Sequence, residues 1–356
     1  MYNKSNLKFS YILYLIFLIS YFFFTIKPVS ANIYKVEDVK IVESYDLQFN
    51  KENVIDMAFL SAFKTLISMI VDSKDLTNID FNDLDLIKPM IETFSIKNEK
   101  FINDKYIANF NILFDKKSIF KYLNRKNIVS SAPIRNNLLF IPIFINLEKN
   151  EHYMFNQNNF YKYWNFENKK YFLLNYSLPD EDIEEFNLIN KNISNIENYN
   201  FKEILKKYDF DDYIICILFY NENDLKVLSK IYLNKELSII NTNFKNININ
   251  NRSYYNLVIN NLKLIYENKW KSLNKINTSI NLNIYLSLDA NKSRLINRFE
   301  KELSESNMVS KFMIEKITNK KIFYKIIYSN TPDKFISEFS DKNFKIKTKE
   351  IIWTVD

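Results

Sequence analysis

The chain of 356 residues contains no glycine. Ordinary usage of about 7% would supply roughly 25. Glycine takes positive φ without steric cost, so every left-handed position in this fold must be filled by another residue. The same absence excludes whole classes of chemistry. There is no GxGxxG dinucleotide loop, no GxxxxGK phosphate loop and no GxSxG nucleophile elbow. Asn, Ile, Lys, Tyr and Phe are abundant, while Ala, Arg and Pro are scarce. This is the signature of AT-rich coding DNA, and the Asn- and Lys-rich runs carry no prion-like or nucleic-acid-binding meaning. Asn and Asp are expected to take over the left-handed positions, because a short polar side chain tolerates positive φ best. Asn127 and Asn343, each just beyond a predicted helix, are expected to do so.

The first 31 residues read as a secretory signal. Lys4 and Lys8 form a positive start, Tyr11 to Ile26 an apolar stretch of 16 residues, and Val29-Ser30-Ala31 a small-residue cleavage site. Cleavage after Ala31 places the protein in the periplasm. An uncleaved membrane anchor facing the periplasm is the alternative, although 16 apolar residues are short against the roughly 20 that a span needs. No later segment reads as long or apolar enough to cross a bilayer. Cleavage removes Lys4, Lys8 and Lys27 and no acid, so the formal charge falls from +7 to +4. That near balance argues against nucleic acid as a partner. An envelope protein is the expected partner, with membrane contact only through an uncleaved N-terminal segment, and no cofactor is implied.

Hydrophobic periodicity divides the rest into α+β, mixed α/β modules in series. The first, residues 33–129, follows the order β-α-β-β-α. Asn50 caps a helix with Ile55, Phe59, Ala62, Phe63, Leu66 and Ile70 on one face, and Tyr106, Ala108, Phe110, Ile112 and Phe114 share one strand face. Asp115 caps the following helix. The second, 136–244, has a doubly buried strand at Leu138–Ile145, further strands at Tyr171–Tyr176 and Tyr213–Tyr220, and a closing hairpin turned at Asn234-Lys-Glu236. Strand, helix and strand suggest a parallel βαβ core with an antiparallel edge, and the polar stretch Asn187–Asn200 reads as a surface loop. A connecting helix over 253–275 presents Leu257, Val258, Leu262 and Ile265. The third module, 279–356, reads as ferredoxin-like βαββαβ: alternating Leu282–Leu288, a helix with Phe299 and Leu303, a strand pair, a helix opened by Thr331-Pro332, and one final strand from Phe344 to Val355.

Several short stretches resemble a domain-of-unknown-function family of proteobacterial envelope proteins, numbered twenty sixty-six. They are Ile33-Tyr-Lys-Val-Glu-Asp-Val39, Tyr106-Ile-Ala-Asn-Phe-Asn-Ile-Leu-Phe-Asp115, Leu139-Phe-Ile-Pro-Ile143, Trp164, Leu178-Pro-Asp-Glu-Asp182, Leu205-Lys-Lys-Tyr-Asp-Phe-Asp-Asp-Tyr-Ile214 and Trp353. The resemblance implies export and an envelope location, and it supplies no catalytic residue. Where that family pattern favours glycine, this chain has Asp209, Asn127, Asn330 and Asn343.

Candidate chemistry is sparse. No catalytic residue stands out. Asp180, Glu181 and Asp182, extended by Glu184 and Glu185, follow a predicted buried strand and could bind a divalent cation or supply an acid/base pair. The competing reading is a helix start, with Asp180 as cap and the acids complementing the helix dipole. Cys216 lies in an apolar run and reads as a buried thiol, and the single His152 lies in a polar stretch. Trp164, Trp270 and Trp353 read as packing anchors. The expected function is a non-catalytic binding or assembly module of the envelope; a cation-dependent enzyme or binder at Asp180–Asp182 is the alternative.

Overall fold

Helix α1 (Lys51–Ile70) forms where the sequence places its cap: Asn50 accepts from the Glu52 amide, and Val54, Ala58, Phe59, Ala62, Phe63, Leu66 and Ile70 turn inward. It belongs to a computed structural model that describes residues 34–166, 169–276, 282–348 and 351–356. The expected signal segment and its cleavage site at Ala31 lie outside the described residues. Residues 34–356 form one compact unit holding three sheets.

In the first sheet β3 (Lys105–Phe114) lies between β1 (Lys35–Ser44) and β2 (Ile91–Ile102), all antiparallel. A short helix α2 (Leu84–Ile87) and α3 (Lys116–Arg125) complete the module. By length and mean hydropathy (1.4), α1 is apolar enough to cross a membrane. This corrects the expectation that no later segment is; ten of its residues are buried in the core of this module instead.

The second sheet runs β5 (Glu151–Tyr153), β4 (Asn136–Asn146), β7 (Tyr213–Asn221), β8 (Asp224–Leu233), β9 (Glu236–Phe244), with β6 (Leu174–Ser177) also on β4. β4 is parallel to β7 and to β6, and β7–β8–β9 is an antiparallel meander, as the sequence pattern suggested. Three local expectations change. Residues 171–173 precede β6 rather than extending it. The expected loop at 187–200 is mostly helical, with α5 (Ile183–Asn192) followed by a 3₁₀ turn at Ile193–Asn195, because Ile189 is buried on its inner face. Between β5 and β6 stands a short helix α4 (Asn159–Tyr163), started by Asn158. Helix α6 (Lys202–Leu205) leads towards β7.

After the long helix α7 (Arg252–Leu273), the third sheet has the order β11 (Val309–Ile317), β12 (Lys321–Tyr328), β10 (Leu282–Asp289), β14 (Trp353–Val355), β13 (Ile346–Lys347). Helices α8 (Ser293–Glu305) and α9 (Pro332–Asp341) complete the βαββα series. The expected single final strand is divided. β13 turns back into β14, which pairs parallel to β10 and makes the sheet mixed. Trp353 packs beside Phe335 (6.0 Å) and Val355 is buried, which anchors β14 on the core.

The modules meet at the segment 128–134. Ser131 donates to the carbonyl of Ile70 at the end of α1, Ala132 donates to Asn274 at the end of α7, and β-bridges join Ser130 to Val71 and Ser131 to Lys275. Ala132 and Ile276 are part of the core of the third module.

Thirteen described residues have positive φ, and eight are asparagine. Three hairpins turn on consecutive pairs: Asn103-Asp104, Glu222-Asn223 and Asn234-Lys235. Two positive φ values in a two-residue connection define the I′ turn, for which Asn-Gly is the preferred pair. Asn127 (φ 55°) and Asn343 (φ 62°) close α3 and α9 as expected. In both the amide two residues past the cap bonds back five positions, Ile128 to Leu123 at 2.9 Å and Phe344 to Phe339 at 3.0 Å, which is the Schellman arrangement. Asp209 and Asn330 are absent from the positive-φ set, so their positions demand no glycine.

Candidate functional site

The acidic cluster starts α5. Asp182 is its cap, not Asp180: its Oδ1 accepts the amides of Glu184 (2.7 Å) and Glu185 (3.2 Å). The difference follows from where the helix begins, since only the residue just before the first turn can reach those donors. Glu181 accepts the amide of Asn156 at 3.2 Å, and Asp180 stays exposed. Lys207 spans the cluster, 2.7 Å from Asp182 Oδ2 and 3.2 Å from Glu184 Oε2. Its ammonium, with the two amides, holds the Asp182 carboxyl below its usual range. Glu185 points inward, fully buried, and accepts the Tyr208 hydroxyl at 2.9 Å. Burial raises its carboxyl above the ordinary value, and its Oε2 has no partner among the described residues.

Asp182, Glu184 and Glu185 gather on the ammonium of Lys207, at 2.7, 3.2 and 4.0 Å. Of the cluster's acids, two cap or pair at the surface, one bonds a loop amide, and one is buried against a tyrosine. Among the described residues no three His, Cys, Asp or Glu side chains are grouped to hold a metal ion. The arrangement performs helix capping and charge pairing.

His152, on β5, stacks its ring on Phe186 of α5 at 4.9 Å. Burial lowers its basicity, which keeps the imidazole neutral. Cys216 is fully buried in β7, and burial pushes its thiol up to about 12; a thiol so rarely ionised is a poor nucleophile. Trp164 stacks on Phe140 at 3.7 Å, and the Trp270 indole N–H donates to Ile134 at 2.8 Å. With Trp353 on Phe335, all three tryptophans pack.

The most concentrated buried charge is on α7, where the sequence pattern pointed elsewhere. Leu257, assigned to the apolar face, is exposed, whereas Lys263, Glu267 and Lys271 are buried. They stand one turn apart on a single line of the helix. Lys263 lies 5.6–5.8 Å from the rings of Trp164, Phe172 and Tyr176, a cation–π setting. Glu267 accepts the amides of Leu173 (3.0 Å) and Leu174 (2.8 Å) at the start of β6. Lys271 donates to the carbonyls of Ser68 (2.6 Å) and Val71 (2.9 Å) at the end of α1. Burial raises the Glu267 carboxyl and lowers the Lys271 ammonium. The regular four-residue spacing of charges beside Tyr266 and Trp270 was the available signal; the partners lie too far away in sequence to be read from it.

Each of these charged groups therefore has a structural partner, and together they join the modules. No model of a known protein family matches this chain, and no curated protein does so.

Proposed function

We propose that this is a non-catalytic protein of the cell envelope, exported by its N-terminal segment into the periplasm, that binds a partner in envelope assembly or maintenance. The observation that carries this reading is the use of its ionisable groups. Asp182 and Glu181 satisfy backbone amides, Lys207 neutralises the surface acids, and Glu267 and Lys271 tie modules together. Structural capping and ion-pair networks account for perturbed groups of this kind without any chemistry. What the fold offers instead is surface on three linked sheets. A single-body scaffold of this kind suits binding, although fold alone does not define function.

The test is crosslinking in intact cells with fractionation of the products. The proposal expects the processed chain in the periplasmic fraction, joined to a discrete envelope component. Retention of the chain in the cytoplasm would exclude it.

A further inference from the structure

Helix α1 packs on one face of the sheet β1–β3–β2. Tyr106, Ala108, Phe110, Ile112 and Phe114 of the central strand face the helix and are buried. Strand alternation puts Ile107 and Asn109 on the other face, and register defines its rows. Across it run Lys40–Asn109–Lys97, Val42–Ile107–Lys100 and Ser44–Lys105–Ile102. Every edge-strand residue in these rows is exposed. Four lysines thus occupy three successive rows that contain no acid. Glu37, ion-paired to Lys35, and Asp38 sit at the β1 bulge beyond one end, and Asp104 in the hairpin turn beyond the other. Glu99 turns to the helix side, where it accepts from Lys51 and the Tyr106 hydroxyl.

Where the rows end, the chain exposes an apolar tip. Tyr45 meets Phe101 edge-on at 4.8 Å, both about half exposed; Phe101 pairs with Tyr106 and so lies on the helix side of the sheet end, and Leu47 is fully exposed in the loop that follows. Val42 and Ile102, also about half exposed, stand within the lysine rows, beside Lys100 and Lys105.

We infer that this face and its tip dock on the surface of an anionic phospholipid bilayer. Lysines near such a surface are attracted to its headgroups. Val42 and Ile102, on the lysine face itself, gain by partial burial where headgroups meet acyl chains, the depth that Tyr and Phe at the sheet end also favour. Two features favour lipid over nucleic acid. The basic rows contain no arginine, the residue best matched to bidentate phosphate recognition. They also carry no aromatic ring on which a base could stack. The inference extends membrane contact beyond the N-terminal segment and does not depend on the proposed function.

The test uses the full chain, so that any contribution of residues 1–33 is shared by all variants. Flotation is compared on vesicles of phosphatidylcholine alone and of phosphatidylcholine with an equal part of phosphatidylglycerol, for wild type and for Lys97→Glu/Lys100→Glu/Lys105→Glu. In parallel an environment-sensitive fluorophore is placed at Ile102→Cys or, as a control on α9, at Asp333→Cys; Cys216 is buried and does not label. The expected result is partition onto the anionic vesicles at least roughly tenfold above neutral ones, weakened by salt. The charge-reversed variant loses that preference, and emission shifts to the blue at position 102 but not at 333. Equal binding to both vesicles, an unchanged charge-reversed variant, or a silent probe at 102 overturns the inference. Binding to DNA without binding to anionic vesicles overturns it as well.

Discussion

The ammonium of Lys271 lies 2.6 Å from the carbonyl oxygen of Ser68, 203 residues earlier in the chain. It also bonds Val71, so it caps the last turn of α1, where a helix dipole favours positive charge. One turn before it, Glu267 holds the amides of Leu173 and Leu174, where the chain enters β6. A single helix thus uses two opposite buried charges to tie the first module to the second.

Removing one of these charges leaves buried carbonyls without a donor and Glu267 without its nearby cation. Lys271→Met should destabilise the protein by about 3 kcal/mol. Urea unfolding followed by tryptophan fluorescence measures this directly, because Trp270 is the adjacent residue. An unchanged midpoint would show that the ammonium contributes nothing to the joint.

The absence of glycine leaves stability unrealised at the turns. Lys235 adopts φ 65° at the second position of an I′ turn. A left-handed conformation at a residue with an ordinary side chain costs about 1–2 kcal/mol, which glycine avoids. Lys235→Gly should therefore raise stability by about 1 kcal/mol. Asn343→Ala should lower it by a similar amount, about 1 kcal/mol, since it retains the φ requirement and loses the polar side chain that tolerates it. Thermal melts of the two variants should move in opposite directions.

Glu185 provides a pH signature. Burial raises its folded carboxyl above the ordinary 4.5. Between 4.5 and that higher value the folded state holds a proton the unfolded state has released. Its contribution to stability therefore declines as pH rises through this window, and the penalty persists at neutral pH. Glu185→Gln removes the ionisation. The variant should be at least as stable as wild type at pH 7, with that advantage vanishing below pH 4.5. A neutral-pH loss of stability in denaturant titrations would show instead that the charged form is needed.

Local pattern was legible where a side chain's role is settled by its neighbours in sequence. Asn50, Asp115 and Thr331 cap the helices they were expected to cap. The alternation of Leu282 to Leu288 and of Tyr106 to Phe114 marks which face is buried. Asn127 and Asn343 follow from the missing glycines. What failed to show was non-local. Lys263, Glu267 and Lys271 look like solvent-facing residues until Trp164, Leu173 and Ser68 are brought to them by the fold. The division of the last strand goes with Trp353 reaching Phe335, a contact that the polar run Lys347-Thr-Lys-Glu350 obscures in sequence. Asp180 and Asp182 differ as caps by only two positions, which composition cannot resolve.

The proposal that the ionisable groups are structural and that the protein works by binding is tested most directly in cells. Crosslinked products of wild type and of Glu185→Gln/His152→Gln, two of the seven described positions with buried polar atoms that lack a hydrogen-bond partner, are compared in the envelope fraction. The predicted result is the same discrete product at the same yield from both proteins. A folded, exported variant that no longer forms the product, or a wild type that forms none, would contradict it.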